Sequence, residues 1–341
     1  MITKQCPKVI FHIGQHKTGS KALQSYLSIN RQNLLKHNIF YPHGNNSNKL
    51  EDVYHRCHFL LYVLAKYELL KNFSSNESKD FWKSHKKFCE RDSVLSFFEL
   101  VENNRKKYKA HTIIFSAEDL FDMQTAHELS FNQSYILRAS HLLVEAAKKI
   151  GWDPNLVVYL RRPDALLNAH YAQFIKGSDL NHLSFEDFYI KFKPRLDALN
   201  ILKSWENSFT KEKMFIRPYE NASMHAGIIS DFFKNFMNFM PDANWLTPRE
   251  NIEFSNETPS QFYIDLIRES NLARSKGLRS IARASILETA FKDKDKKSSL
   301  NWMGAKETQN LLDEYKTDFK LIATNYCNKK SEFFNQGWTT N

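Results

Sequence analysis

Val9-Ile10-Phe11-His12-Ile13-Gly14-Gln15-His16-Lys17-Thr18-Gly19-Ser20-Lys21-Ala22-Leu23-Gln24 is the stretch whose reading decides the fold. A short β-branched and aromatic run ends in a loop that holds two glycines and a lysine, and a helix-like stretch follows at once. That layout makes a phosphate cradle: glycines let the backbone approach an anion, loop amides point at it, and the helix dipole favours its charge. The loop is close to the G-x-x-x-x-G-K-[ST] pattern but departs from it. Gly14 and Gly19 keep the spacing, Ser20 stands where the lysine belongs, Lys17 sits inside the loop, and Lys21 takes the place of the metal-holding hydroxyl. A cation there repels Mg²⁺, so an anionic nucleotide handled without metal is expected. An ordinary strand–turn–helix with a chance glycine pair shares the same spacing.

Working outward, four runs read as strands: Lys8–Ile13, His111–Ser116, Asn155–Leu160 and Met214–Arg217. Each is largely apolar on both faces, as a buried parallel strand must be. Tyr135–Ile150 has apolar residues at helical spacing with Gly151 as its C-cap, and Ser184–Trp205 and Ala226–Met237 also read as helices. The alternation predicts an α/β fold, a P-loop-type doubly wound parallel sheet with helical insertions and a helical C-terminal region. The whole of 1–341 is expected to form a single domain. The stretch 45–110 reads as inserted helices over the binding edge, 257–341 as mostly helical, and the Lys292–Lys297 charge run as a solvated loop.

Composition narrows the class. The 341 residues include 42% hydrophobic and 14% aromatic ones, enough for a sizeable core, and nine glycines and nine prolines argue against low complexity. A net charge of +10 suits an acidic ligand, although a solvated lysine-rich surface accounts for most of the lysines equally well. The four cysteines, Cys6, Cys57, Cys89 and Cys327, are scattered without a CxxC pair, so neither a zinc site nor a disulfide framework is indicated. No signal peptide is evident and no apolar run approaches the ~20 residues of a membrane span, so a cytoplasmic protein is expected. The basic charge is dispersed and carries no nucleic-acid recognition motif.

A second constellation follows the third long strand: Arg161-Arg162-Pro163-Asp164, then Asn168, His170, Tyr171 and Gln173. In an open α/β sheet the carboxyl end of a strand is where ligands bind, and arginine matches phosphate with its planar donor fork. A local ion pair with Asp164 is the plainer use of these arginines. Taken together, His12-Ile-Gly-Gln-His-Lys-Thr-Gly-Ser-Lys-Ala-Leu-Gln24 and Val157-Val-Tyr-Leu-Arg-Arg-Pro-Asp-Ala-Leu-Leu-Asn-Ala-His-Tyr-Ala-Gln173 resemble the two nucleotide segments of the sulfotransferases that use 3′-phosphoadenylyl sulfate (PAPS). Between and beyond them, Phe115-Ser-Ala-Glu-Asp-Leu120, Ile216-Arg-Pro-Tyr-Glu220 with Asp231-Phe232, and Thr324-Asn325 through Phe334 resemble segments of bacterial members, in the same order.

The resemblance implies sulfuryl transfer from PAPS to a hydroxyl or amine of an acceptor, without metal, leaving the product PAP. The expected acceptor is a carbohydrate, an anionic glycan included, or another hydroxylated metabolite. It places the 5′-phosphosulfate in the loop Gly14-Gln15-His16-Lys17-Thr18-Gly19-Ser20-Lys21, with Lys17, on an exposed loop, neutralising the leaving group. Arg161 would hold the 3′-phosphate, where the family also carries a serine that is Ala169 in this chain. Two candidates stand for the general base, Glu118 after the second long strand and His58 in His55-Arg-Cys-His58. The competing readings are a P-loop kinase and a nucleotide- or glycan-binding protein of the same fold that does no chemistry.

Overall fold

The computed structural model describes residues 6–43, 58–71, 83, 93–125, 128–220, 227–242, 245, 258–273, 275–293, 300–327, 333–334 and 338. Five strands, β1 (Lys8–His12), β2 (Ile39–Phe40), β3 (Thr112–Ser116), β4 (Asp153–Leu160) and β5 (Met214–Pro218), form one open sheet in the order β2-β3-β1-β4-β5. Every neighbouring pair is parallel.

Strand residues alternate between two cores, because successive side chains leave a strand on opposite faces. Val9, Phe11, Ile113, Phe115, Leu156, Val158, Met214 and Ile216 enter one apolar cluster. Ile10, Ile114, Val157 and Tyr159 enter the other. The second cluster is covered by the helices Ser20–Ile29 and Arg31–Lys36 and by Gly227–Phe232. The first is covered by Phe59–Leu70, Val94–Lys107, Gln133–Ile150, Pro163–Gly177, Ala198–Glu206 and Ala305–Cys327. The chain therefore leaves β1 toward one face and β4 toward the other, although the two strands are neighbours. Such a switch opens a crevice at their carboxyl ends.

The four expected strands are present with ends shifted by one or two residues, and Gly151 caps Gln133–Ile150 at φ 84°. Several expectations are corrected. β2 is a fifth strand, too short at two residues to show a period. Ser184–Trp205 is not one helix: Phe185–Phe192 passes into the tight turn Lys193–Leu196 at Pro194, and Asp197 caps a new helix, Ala198–Glu206. Gly227–Phe232 continues as the wide turn Phe233–Met237 rather than as regular helix. The described helices of 45–110 do not hang over the binding edge. They form part of the sheet-covering layer, where Phe98 stacks on Phe115 at 5.3 Å. The tail is helical as expected, over Gln261–Asn271, Lys276–Lys292 and Ala305–Cys327, while residues 294–297 of the charge run lie outside the described residues. Among the described residues no helix is long and apolar enough to cross a membrane.

Arg195, on the tight turn after Pro194, is buried and pins that turn to the segment after β3. Its Nε donates to Asp122 Oδ2 at 2.6 Å, and its Nη1 donates to the carbonyls of Thr125, at 3.1 Å, and Glu128. Arg195→Met leaves the Asp122 carboxylate buried without its cation and is expected to cost about 3–5 kcal/mol in urea unfolding. Arg268→Ala, which breaks the exposed pair with Glu269, should cost under about 1 kcal/mol by the same measurement.

Candidate functional site

The site begins where β1 ends. Its pairing with β4 continues past both strands: Ile13 N–H donates to Val157 C=O at 3.1 Å and Gln15 N–H to Tyr159 C=O at 3.2 Å. Arg161 N–H returns a bond to Gln15 Oε1 at 2.9 Å, and Arg161 Nη1 donates to Lys17 C=O at 3.2 Å. The loop and the arginine segment are thereby stitched into one unit.

The loop turns over itself at Lys17 (φ 65°) and Gly19 (φ 76°). A Cβ at Gly14 would lie 2.9 Å from His12 Nε2 and 3.2 Å from the Ser20 and Thr18 hydroxyls, so only glycine lets the loop close inward there. Lys17, unlike Gly19, is held in the left-handed region against its side chain's preference. Helix Ser20–Ile29 starts without a side-chain cap and without an acid in its first turn. Lys21 stands in that first turn, where the helix dipole disfavours a cation. Ser20 Oγ is buried without a hydrogen-bond partner among the described residues. A bound anion would satisfy all three features, so the loop fits a phosphate-bearing ligand.

A cavity of about 410 Å³ opens above the loop in the β1/β4 crevice. The loop contributes His16, Lys17, Gly19, Ser20 and Lys21; Glu118 comes from the turn after β3 and Arg161 from the end of β4. Ala169, Gln173 and Lys176 line it from helix Pro163–Gly177, and Thr258 and Leu300 from the C-terminal part. Their spacing along the helix, i, i+4 and i+7, is one helical face. Gln173 and Lys176 were not among the expected ligand contacts, although this stripe through Ala169 is readable in the sequence. Among these lining residues four cations face a single carboxylate, Glu118.

Lys17 is not on an exposed loop as expected. Its Nζ donates to Gln173 Oε1 at 2.6 Å. Burial, with the nearby Lys176 and Lys21, pushes its ammonium down to about 7, against the pull of Glu118. Burial also lowers Arg161, offset by Tyr219 and Asp164. The two arginines divide the alternatives open to them: Arg162 makes the local ion pair, with Nε and Nη2 each 2.8 Å from an Asp164 oxygen, while Arg161 lines the cavity.

The two base candidates both lie by the end of β3 but in different surroundings. Glu118 reaches the cavity, with Oε1 4.0 Å from His16 Nδ1. His58 does not. Its Nδ1 accepts from Ser116 N–H at 2.9 Å, its Nε2 donates to Pro42 C=O at 2.9 Å, and its ring packs edge-on against Tyr41 and Phe115. Both nitrogens are spent on backbone groups, and burial lowers its pKa to about 3. His58 serves as a neutral peg between β3 and the segment after β2.

Ala169 lines the cavity, but neither neighbour that could supply its missing hydroxyl, Asn168 or His170, is in the lining. Asn168 donates to Asp164 C=O at 2.9 Å and accepts from Trp302 N–H at 3.0 Å. His170 is buried edge-on to His16 with ring centroids 5.3 Å apart. Of the later matched segments, Arg217 forms a two-pronged pair with Asp231 at 2.7 and 2.6 Å, and Tyr159 donates to the same carboxylate at 2.8 Å. That clasp holds helix Gly227–Phe232 against β5 and makes no contribution to the cavity lining.

No protein-family model matches the chain, and comparison with curated proteins and with solved structures finds no match.

His12, like His58, is held to about 3 by burial. A histidine lowered below its unfolded value near 6.5 costs stability as pH falls from about 6.5 toward 3, because only the unfolded chain takes up the proton, at about 1.4 kcal/mol per pH unit. His58→Asn should lose about 1–3 kcal/mol at pH 7 through the unpaired Ser116 amide. The gap from the unmodified protein should narrow between pH 6.5 and 4.5 in urea titrations, since one such proton is removed. A gap that stays constant would show that His58 is not held neutral.

Proposed function

We propose that this chain is a PAPS-dependent sulfotransferase of P-loop-type fold. It would transfer a sulfuryl group to a hydroxyl or amine of a carbohydrate or other hydroxylated metabolite. The observation that carries this reading is the cation-lined cavity at the β1/β4 crevice. Loop 14–21 and Arg161, far apart in sequence, meet there around one carboxylate. The strand order and the glycine-bearing loop after β1 support the finer fold reading.

PAPS, when bound, supplies the sulfuryl group and leaves as PAP. Loop amides, the Ser20 hydroxyl and the start of helix Ser20–Ile29 hold its 5′ end, and the Arg161 fork holds a phosphate as a two-pronged donor. Lys17 regains a firmly held proton beside that negative charge and meets the charge that gathers on the leaving oxygen, a contribution often worth about 10²–10³ in rate per donor. Glu118, the carboxylate of the cavity lining, accepts the acceptor's proton. Gln173, bonded to Lys17 Nζ, keeps the ammonium turned into the cavity.

Ala169 favours a second reading, a protein of the same fold that binds the nucleotide without turnover. It lacks a hydroxyl on the wall where the resemblance expects a phosphate ligand, and neither Asn168 nor His170 reaches the cavity lining. PAP binding with no transfer to any acceptor in a labelled-PAPS screen would select that reading.

PAP should raise the melting temperature without Mg²⁺ and do so more than ATP or ADP. At a hundredfold excess over its dissociation constant the gain is about 2.7 kcal/mol. Stabilisation by ATP that appears only with magnesium would contradict the assignment. In the labelled-PAPS assay Glu118→Gln should lower kcat by about 10²-fold or more with PAP affinity retained. A Glu118→Gln protein with normal kcat would remove Glu118 from the mechanism.

A further inference from the structure

His16 belongs to the loop after β1 but points at the turn after β3. Its ring is buried and stands between two carboxylates. Glu118 Oε1 lies 4.0 Å from Nδ1, and Asp119 Oδ1 lies 3.8 Å from Nε2. Nε2 is also 3.0 Å from the carbonyl oxygen of Gln124. A carbonyl oxygen can only accept, so Nε2 carries the proton. Nδ1 is then the free lone pair of a neutral ring, and it faces a carboxylate that is also an acceptor. The two repel unless a proton stands between them, on Nδ1 or on Glu118.

Resting on the sulfotransferase reading, we infer that His16 is the positioning residue for Glu118: it holds that carboxylate at the cavity wall and takes on the proton that Glu118 collects. In the step, the acceptor O–H breaks as its oxygen bonds to the sulfuryl sulfur of PAPS, and the S–O bond to the leaving phosphate takes its electron pair away with PAP. The proton passes to a Glu118 oxygen, then to Nδ1 of His16, and from the imidazolium to solvent in the cavity. Asp119, on the far side of the ring, stabilises the imidazolium that results. Burial raises Asp119 to about 7 and His16 pulls it back down, so the two groups already sense each other.

The charges around the ring come from every element packed on it. Glu118, Asp119 and Asp122 lie in the segment after β3, and Lys17 belongs to the loop itself. His170 is on helix Pro163–Gly177, and Arg195, on the tight turn after Pro194, is paired with Asp122. Two acids directly flank the ring, whereas Arg195 acts across its partner Asp122 and His170 is kept neutral by burial. The balance at His16 is therefore set by Glu118 and Asp119. Since His16 is a loop residue, a ligand seated in the loop acts on the base through it.

The test has a binding-free arm and a kinetic arm. In histidine-labelled protein, followed by NMR with and without PAP, the His16 imidazole should titrate. Its midpoint should fall in both Glu118→Gln and Asp119→Asn, because each removes an acid whose ionised form stabilises the cation. In the labelled-PAPS assay His16→Gln, which can still donate to Gln124 C=O but cannot titrate, should lower kcat at least tenfold. KM for PAPS should stay within threefold, and the acid limb of the pH profile should move relative to the unmodified protein. A His16 midpoint unmoved by both acid substitutions overturns the inference, as does a His16→Gln protein with unaltered kcat and pH limb. The NMR arm needs no turnover: coupling of His16 to both acids in a protein that transfers nothing would sink the sulfotransferase reading and leave the linked trio standing.

Discussion

The continued pairing of β1 with β4 beyond the ends of the strands is the constraint on which the site depends. Two backbone bonds, from Ile13 and Gln15, carry the ladder into the loop, and the Gln15 side chain closes it onto the Arg161 amide. The chain leaves these strands toward opposite faces of the sheet, so the stitched segment is also the floor of a crevice. A loop from the first strand and an arginine from the fourth are thus held at fixed separation by main-chain geometry, with no need for a ligand to gather them. Gly14 is part of the same constraint, since any side chain there would collide with His12 and push the loop off its ladder.

That floor stores unfavourable electrostatics. Lys17 is half-buried near Lys21, Lys176 and Arg161, and its ammonium is held weakly enough to titrate at about 7. Helix Ser20–Ile29 adds its positive end to the same place and carries a lysine in its first turn. Folding tolerates this cost because the two apolar cores on either side of the sheet are extensive and buried charges elsewhere are paired, as Arg195 is with Asp122. A polyanion entering the cavity relieves the repulsion, so the energy that the fold gives up at the loop reappears as affinity.

Much of the architecture was legible in the sequence. Long apolar runs such as Asn155–Leu160 declare a strand buried on both faces, and Gly151 marks the end of a helix. β2 was hidden because two residues have no period, and the break inside 184–205 was hidden because the apolar pattern runs through Pro194 without a gap. At the site, the glycine loop, Arg161, Ala169 and Glu118 were found, and Gln173 and Lys176, which share the helical face of Ala169, were not. Lys176 lies two turns after Ala169 on the same stripe. His58 shows the opposite failure: the resemblance offers it as a base, yet only the fold reveals that both its nitrogens serve backbone groups. The residues alone do not divide the Arg161-Arg162 pair, because either guanidinium could have reached Asp164; the resemblance singled out Arg161, and the fold puts Arg162 on Asp164.

The most direct test of this account is proton uptake on PAP binding, measured by titration calorimetry at pH 8 in buffers of different ionisation enthalpy. Lys17 is largely deprotonated there in the free protein and must regain its proton beside the ligand's charge. The unmodified protein should therefore take up a large fraction of one proton per PAP, with affinity falling as pH rises above about 7. Lys17→Met should bind without that uptake. Equal proton uptake in the two proteins, or none in either, would contradict the claim that a half-buried, crowded Lys17 is the group on which anion binding turns.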